Sequence, residues 1–368
     1  MALEVGIVGL PLVGKTTIFN ALTAAGAEAT AYSKASTKPN VGIAKVPDDR
    51  LRAINQFITT KKIVPATIQV VDVAGIARGA SEGQGLGNKF LAHVRNMDAI
   101  LHVVRCFESD EVAHVEGSID PVRDIDTVET ELVLADLESV STALDKAKRA
   151  ARGHEKEAVV RAEMLEKAYA VLNDGRPVRE IEFTAEQKKI VKNFGLITAK
   201  KTLFVANVGD EDVAGTGERV QKVKERAAAE GAPAVAVCGK LEAEIVELSE
   251  ADRAEMLAGM GLKQPALAVL AREAYKLLGL HSFFTAGPEE IRAWTIPIGA
   301  KAPEAAGAVH NDLERSFIKA ETYTVADLEA YKTEQAIKAH GKLRLEGKEY
   351  VMQDGDVVHF QAGLAGRK

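Results

Sequence analysis

The chain has 368 residues, of which 46% are apolar and 27% charged, and its formal net charge is −6. This length exceeds what one hydrophobic core usually serves, so we expect two or three domains. The acidic balance argues against a protein that coats nucleic acid through bulk positive charge, although it allows a local RNA-contacting patch. No apolar run approaches the length of a membrane span. Two cysteines, Cys106 and Cys238, each follow an apolar run and predict buried thiols in a cytoplasmic protein.

Residues 9–16 match the pattern G-x-x-x-x-G-K-[ST] of a phosphate-binding loop. They follow an apolar strand candidate, 5–8, and precede a helical run, 17–25, which is the context that the motif requires. Backbone N–H groups in such a loop, and the positive end of the helix after it, bind phosphate oxygens. We expect Lys15 to contact the β- and γ-phosphates and to act in catalysis, and Thr16 to ligate Mg²⁺. The loop residues predicted to contact the nucleotide are Leu12, Val13, Gly14, Lys15, Thr16 and Thr17.

Two further regions predict groups around the phosphates. Asp72 ends an apolar strand candidate, where an aspartate after a phosphate loop fits a Mg²⁺ ligand. Gly75 would let its backbone N–H approach the γ-phosphate. The polar segment 26–40 is where nucleotide hydrolases supply a second hydroxyl to the metal. Either Ser36 or Thr37 fits that role, and either could instead cap a turn.

The residue after Gly75 bears on hydrolysis. Ras-type GTPases place a water-orienting glutamine there, whereas this chain has Ile76, whose apolar side chain cannot hold a water. If the protein hydrolyses nucleotide, another group must position the attacking water. His114, in a polar loop predicted over 107–125, is one candidate, and the alternative is a solvated loop histidine.

From residue 126 to about 174 apolar side chains recur every three or four positions, with a break at Gly153. This spacing predicts a helical hairpin, an antiparallel coiled coil inserted between strands of the nucleotide-binding domain. Two interpretations stay open, an arm that binds a partner and a packed helical layer.

Asn207, Val208, Gly209 and Asp210 follow a late strand candidate, at the place where GTPases recognise guanine. We expect Asn207, Val208 and Asp210 to contact the nucleotide. An aspartate there accepts hydrogen bonds from guanine N1–H and N2–H₂, which adenine lacks. Val208 replaces the lysine whose stem usually stacks on the base, so the base preference stays open.

Residues 281–368 contain short alternating strands around a helix, which predicts a small α+β module. They hold 11 basic and 13 acidic residues, so RNA binding by this module cannot be argued from charge.

These motifs together resemble the YchF/Obg-like ATPases, a family in the Obg group of translation-factor-class P-loop NTPases. The segments that carry the resemblance are residues 9–16, 39–42, 46–51, 72–76, 85–91, 93–96, 114–121, 283–287 and 292–295. The resemblance implies an α/β P-loop NTPase domain, an inserted helical coiled-coil arm and a C-terminal TGS domain, which is a small ubiquitin-like α+β fold. The corresponding ranges are 1–125 with 200–280 for the NTPase domain, 126–199 for the arm and 281–368 for the TGS domain.

The resemblance also implies a Mg²⁺-dependent hydrolase of slow basal turnover, which prefers ATP, can accept GTP and associates with the ribosome or ribosomal RNA. We expect a monomer, and neither DNA nor a membrane as partner. The family carries its alternative catalytic group where this chain has His114. Two departures matter: Ser36 stands in the register of the metal-binding threonine, with Thr37 next to it, and Asp210 replaces a glutamate. The competing interpretations are a nucleotide-gated scaffold without hydrolysis and a GTP-specific GTPase.

Overall fold

The computed structural model describes residues 3–24, 40–73, 76, 79 and 86–363. The predictions for Ser36, Thr37 and Gly75 lie outside these residues. The chain divides into two compact units. The first unit contains Met1–Ile43 and Gln69–Ala274, and the second contains Ala44–Ile68 and Tyr275–Lys368.

The strands are β1 (Glu4–Val8), β2 (Asn40–Val46), β3 (Ile63–Val64), β4 (Ala66–Asp72), β5 (Ala99–Arg105), β6 (Lys201–Asn207), β7 (Ala234–Val237), β8 (Leu280–Ala286), β9 (Ile291–Pro297), β10 (Phe317–Thr324), β11 (Arg344–Glu346) and β12 (Asp356–Ala362). The helices are α1 (Lys15–Ala24), α2 (Asp49–Asn55), α3 (Leu86–Asn96), α4 (Pro121–Ala151), α5 (Lys156–Asn173), α6 (Ala185–Phe194), α7 (Glu218–Ala229), α8 (Gly239–Glu247), α9 (Glu250–Gly259), α10 (Ala266–Leu277), α11 (Ala302–Val309), α12 (Asn311–Arg315), α13 (Val325–Tyr331) and α14 (Glu334–Ala339). Short 3₁₀ turns occur at Val178–Glu180 and Asp210–Asp212.

The sheet that carries the phosphate loop has the strand order β2-β4-β1-β5-β6-β7. Strands β4, β1, β5, β6 and β7 pair in parallel. Every residue of β5 is buried, as expected for a parallel strand covered on both faces. Because the carboxyl ends of parallel strands share one edge of the sheet, residues 9–16 after β1, Asp72 at the end of β4 and Asn207 at the end of β6 converge there.

The inserted arm is built on α4, which has 31 residues and is about 45 Å long. The predicted hairpin is present, but its first helix begins at Pro121 rather than at 126. Asp120 caps this helix by accepting a hydrogen bond from the backbone N–H of Arg123, and a proline in the first turn suits a helix start. Near this end, Ile125 packs in the same core cluster as Val104 and Phe204.

The far part of α4 packs in a separate hydrophobic cluster with α5 and residues 178–196. Asp136 fixes α4 within this region, because its buried carboxylate accepts hydrogen bonds from the backbone N–H groups of Ile197 and Thr198. The arm therefore has its own core, and one continuous helix joins it to the nucleotide-binding sheet.

The second unit is built on a mixed sheet with the strand order β11-β10-β12-β8-β9-β3. In this sheet, β12 and β8 pair in parallel. The pairs β8–β9 and β10–β12 are antiparallel. Helix α11 packs in a core cluster with Phe283 and Phe317. The predicted small α+β module is therefore present.

Residues 44–68 belong to this second unit, although the predicted boundaries assigned them to the NTPase domain. Strand β3 pairs with β9, and the guanidinium of Arg50 pairs with Asp354 and lies 5.0 Å from the ring centre of Phe284. These partners are more than 200 residues away in the chain, so local patterns could not indicate them. In the described part of the chain, no helix combines the length and the apolar composition needed to cross a bilayer.

Candidate nucleotide-binding site

The phosphate loop has a backbone that only certain residues tolerate. Leu12 has φ of 63° and Gly14 has φ of 94°, both in the left-handed region. A Cβ atom added to Gly14 would lie 2.2 Å from Nδ2 of Asn207, so a side chain at this position would displace the asparagine. The side chain of Leu12 is exposed, Val13 is buried, and Thr17 is exposed in the first turn of α1.

Lys15 is buried beneath the phosphate loop. Its Nζ donates hydrogen bonds to the backbone carbonyls of Gly9 and Leu10, at 3.2 and 2.6 Å. Burial lowers the pKa of Lys15 to about 8, although the carboxylate of Asp72 opposes this shift. Phosphate oxygens carry far more negative charge than the two carbonyls, so they are better partners for the ammonium group. The lysine is therefore placed to exchange backbone carbonyls for phosphate.

Thr16 and Asp72 form the candidate metal pair. The Thr16 hydroxyl, at the start of α1, donates to Oδ2 of Asp72, at the end of β4, over 2.9 Å. Burial raises the pKa of Asp72. A hydroxyl and a carboxylate side by side are oxygen ligands of the kind that Mg²⁺ takes together with substrate phosphates. These two residues would hold the metal, and its positive charge would then neutralise charge on the phosphates.

Asn207 joins the phosphate loop to the segment that follows β7. Its Nδ2 donates to the carbonyl of Val13 at 2.8 Å, and its Oδ1 accepts from the backbone N–H of Gly239 at 3.0 Å. The residue is buried, so both hydrogen bonds are shielded from water. Asn207 thus braces the loop from behind, a role that the sequence motif did not reveal.

Val208 is only 3% exposed and packs in a hydrophobic core cluster. Its side chain therefore cannot take the place of the lysine stem that stacks on a base, and only its backbone could contact a nucleotide.

Asp210 lies at the surface beside Lys240, a partner that the sequence motif does not indicate. Its side chain is 61% exposed, and Oδ2 is 2.9 Å from Nζ of Lys240. The thiol of Cys238 lies 3.4 Å from Oδ1. The hydrogen bond from Lys240 is the main cause that lowers the pKa of Asp210. Both carboxylate oxygens, which would have to accept from guanine, are therefore already engaged.

Ile76 and His114 are the two residues that the sequence connects with the attacking water. Ile76 is buried, and its backbone N–H donates to the carbonyl of Gly9 at 3.1 Å. The imidazole of His114 is 5% exposed, with Nε2 2.8 Å from Oδ2 of Asp124. The solvated-loop interpretation of His114 is therefore wrong. Among the hydrogen bonds of the described residues, none joins His114 to residues 9–16 or to Asp72.

The chain matches two family models. Residues 4–136 match a model described as "50S ribosome-binding GTPase", and residues 280–363 match YchF-GTPase_C, described as "Protein of unknown function". The protein named Ribosome-binding ATPase YchF of Bacillus subtilis is 48% identical over 363 residues, which cover 98% of this chain and 99% of that protein.

The chain belongs to the YchF family. The protein of the same name in Escherichia coli O157:H7 is 44% identical over 360 residues, covering 98% of this chain and 99% of the relative. A solved structure, the YchF GTPase of Schizosaccharomyces pombe, superposes with a TM-score of 0.86 at 34% identity, covering 98% of this chain and 97% of the other. The predicted family, the predicted fold class and the prediction of a P-loop nucleotide hydrolase are thus confirmed.

Proposed function

We propose that this protein is a Mg²⁺-dependent nucleoside triphosphatase of slow basal turnover, which binds ATP at least as well as GTP and acts in the cytoplasm as a nucleotide-switched regulator on the ribosome. The observation that carries the hydrolase part is the convergence of Lys15, Thr16 and Asp72 at one edge of the sheet. A lysine, a hydroxyl and a carboxylate in this order are the groups that bind and polarise the β- and γ-phosphates in P-loop enzymes.

Each of these residues has a defined part in the proposed reaction. Lys15 binds the transferred phosphoryl group and offsets the charge that develops there. Thr16 and Asp72 would hold the Mg²⁺, with a second hydroxyl from Ser36 or Thr37. Ile76 offers no polar atom from its side chain, so His114 is the group that we assign to the attacking water. For that, the imidazole must leave its contact with Asp124.

A single-turnover assay with Mg·ATP tests this assignment. His114→Ala should lower the rate roughly a hundredfold, because a positioned acid–base group contributes about that much, while nucleotide affinity stays nearly unchanged. His340→Ala, at an exposed position of the second unit, is the control and should hydrolyse at the wild-type rate. If His114→Ala hydrolyses ATP at the wild-type rate, His114 has no part in the mechanism. If neither the wild type nor any variant hydrolyses ATP, the protein is a nucleotide-gated scaffold rather than an enzyme.

The preference for ATP rests on the state of Asp210. Sites that read a base by buried hydrogen bonds discriminate by ~10⁴ or more, because the wrong base leaves their polar groups unpaired. Asp210 is exposed and paired with Lys240, so binding adenine leaves its carboxylate with the partners that it already has. The carboxylate is nevertheless the group that recognises guanine, so a GTP-specific GTPase is the alternative.

The ribosome as partner is supported by the relatives named Ribosome-binding ATPase YchF and by the charge of the arm tip. We define the arm tip as residues 146–161, which join α4 to α5 and hold six basic and two acidic residues in a chain of net charge −6. Its six basic side chains are all exposed. A local positive patch of this kind fits the phosphate backbone of RNA.

Charge reversal tests this contact without removing any segment. The variant K146E/R149E/R152E should weaken co-sedimentation with ribosomes by at least about tenfold at moderate salt, because contacts to phosphates are lost, and should leave nucleotide binding unchanged. The matched variant K338E/K342E/K348E makes the same charge change at exposed positions of the second unit. If only the second variant loses co-sedimentation, the ribosome contact belongs to the second unit. If both variants co-sediment like the wild type, the contact does not depend on these charges.

A further inference from the structure

His114 has both ring nitrogens occupied. The backbone N–H of Glu116 donates to Nδ1 at 3.1 Å, so Nδ1 carries a lone pair rather than a proton. The proton of the neutral ring then lies on Nε2 and is donated to Oδ2 of Asp124 at 2.8 Å. With one nitrogen donating and the other accepting, the ring has no atom left with which to orient a water.

Asp124 is itself held firmly. Its carboxylate is 3% exposed, and the second oxygen, Oδ1, accepts from both Nε and Nη2 of Arg123, at 3.2 and 2.8 Å. Arg123 also donates to the hydroxyl of Ser118 at 2.9 Å and to its backbone carbonyl. Hydrogen bonds therefore tie the segment between His114 and α4 to the first turn of that helix.

Helix α4 connects this contact to other regions. Asp124 lies in its first turn, and Glu131, two turns further on, accepts a hydrogen bond from the backbone N–H of Gly79 at 2.6 Å. Between them, Glu129 joins an ionic network with Arg179 and Arg226. The far end of the same helix begins the arm tip. A shift or rotation of α4 would thus act on His114 and on Gly79 together.

We propose that Asp124 is a latch: a positioning residue that keeps His114 in a resting place, away from the phosphates, until α4 moves. The inference rests on the proposed function, because it matters only if His114 acts on the attacking water. Under this arrangement the slow basal rate reflects the small fraction of molecules in which the latch is open, since an enzyme whose active conformer is rarely populated is slowed by that fraction. A partner that displaces the arm would raise the fraction.

Two variants should release His114 from Asp124, one by changing Asp124 and the other by changing the turn after His114. Asp124→Asn keeps the size of the side chain but removes the charge that holds both the Nε2–H of His114 and the guanidinium of Arg123. Gly117→Ala strains the turn that closes the loop, because Gly117 has φ of 75° and its N–H is bonded to the carbonyl of His114. No atom lies within 4 Å of a Cβ at this position, so the substitution disturbs only the backbone of the turn.

Single-turnover hydrolysis of Mg·ATP should become faster in both variants. We expect a rise in kcat of roughly tenfold for Asp124→Asn and of about threefold for Gly117→Ala, with KM unchanged, because the phosphate contacts are untouched. Asp98→Asn is the matched control, because it makes the same change at a carboxylate that accepts a hydrogen bond elsewhere, from the backbone N–H of Glu4 at the opposite edge of the sheet. It should hydrolyse at the wild-type rate.

The double variant His114→Ala/Asp124→Asn separates the latch from the proposed function. If the latch exists, the double variant has the slow rate of His114→Ala, because the gain needs the freed imidazole. If His114→Ala alone hydrolyses at the wild-type rate, the proposed role of His114 fails. If His114→Ala is slow while Asp124→Asn and Gly117→Ala are not faster, only the latch fails.

A slower rate in Asp124→Asn, with KM unchanged, would overturn the latch in a specific way, because Asp124 would then orient His114 in the active state. A measurement independent of activity completes the test. Nitrogen NMR of the imidazoles, assigned with His114→Ala, should show a fixed Nε2–H tautomer for His114 in the wild type and averaged tautomers in Asp124→Asn. An averaged signal in the wild type would equally overturn the proposal.

Discussion

In the proposed nucleotide site, the groups assigned to the phosphates (the phosphate end) are buried, whereas those assigned to the base (the base end) form a charge pair in water. Lys15 lies under its loop with two backbone carbonyls as partners, and Asn207 braces the same loop from behind. Asp210 and Lys240, in contrast, are paired with side chains that are 61% and 72% exposed. Exposed ion pairs are screened by water and salt and contribute little to stability.

Affinity and base selectivity should therefore arise at different ends of the site. Buried, pre-positioned donors lose little order when a triphosphate binds, so the phosphate end should supply most of the affinity. An exposed carboxylate that already has a cationic partner gives little penalty for the wrong base, so the base end should supply little discrimination. Substitutions at Lys15, Asp210 and Lys240 separate the two contributions.

Lys15→Ala should abolish measurable nucleotide binding. Charge-assisted hydrogen bonds to phosphate are among the strongest in proteins, and losing those of one buried ammonium should weaken affinity by at least about a hundredfold. Titration calorimetry with Mg·ATP measures this. The matched control is Lys200→Ala, which removes another part-buried lysine that donates to two backbone carbonyls, those of Arg95 and Met97. Equal affinities in wild type and Lys15→Ala would refute the assignment of the phosphate site.

The pH dependence of affinity should also belong to the phosphate end. Burial depresses the pKa of Lys15 to about 8 in the ligand-free protein, and phosphate binding needs the protonated form. Affinity should therefore fall as pH rises above 8, by up to about tenfold per unit, and binding near pH 8 should take up a proton. At the base end, the pKa of Asp210 is lowered and that of Lys240 raised, so neither group titrates between pH 7 and 9.

Calorimetry at pH 8 in two buffers of different ionisation enthalpy measures this proton uptake. The same titrations at pH 6.5 provide the control, because Lys15 is then already protonated. If the affinity does not change between pH 7 and 9, Lys15 in the ligand-free protein does not have the burial and the contacts described above.

How far each end could be predicted from the sequence follows from how local its contacts are. The phosphate loop is encoded in eight consecutive residues, and the strand before it and the helix after it are also continuous in the chain. The pattern alone therefore predicts where this loop lies. At the base end, the direction of the Val208 side chain depends on how β6 packs in the core, and the partner of Asp210 lies 30 residues later at Lys240.

Contacts between distant segments explain the other differences. The polar loop predicted around His114 leaves a catalytic role and a solvated position both open, since nothing in it indicates that Asp124, one helix turn into α4, accepts a hydrogen bond from the ring. Residues 44–68 lie, in chain order, within the range 1–125 predicted for the NTPase domain. Their partners in β9 and at Asp354 come from the last third of the chain, which only tertiary structure brings near.

The smallest effects are expected for base choice. Wild-type protein should bind ATP at least as tightly as GTP, because adenine requires nothing from Asp210. Asp210→Ala should leave ATP affinity within about twofold and weaken GTP by several-fold, since a hydrogen bond from guanine to an exposed acceptor contributes about 1 kcal/mol. Lys240→Ala should shift the ratio the other way, because it frees one carboxylate oxygen to accept from guanine.

Parallel binding curves for Mg·ATP and Mg·GTP on these three proteins decide the question. Lys222→Ala is the matched control for Lys240→Ala, because it breaks another exposed lysine–carboxylate pair, that with Glu218, and should leave the ratio unchanged. The buried Val208 limits the shift in Lys240→Ala, since its side chain cannot stack on the base to hold guanine against the freed carboxylate. A GTP preference of roughly a thousandfold in the wild type would approach the discrimination of a buried hydrogen-bond code. In that case guanine must displace Lys240 and Cys238 from Asp210 at little cost, and the weak selectivity inferred for the base end would be wrong.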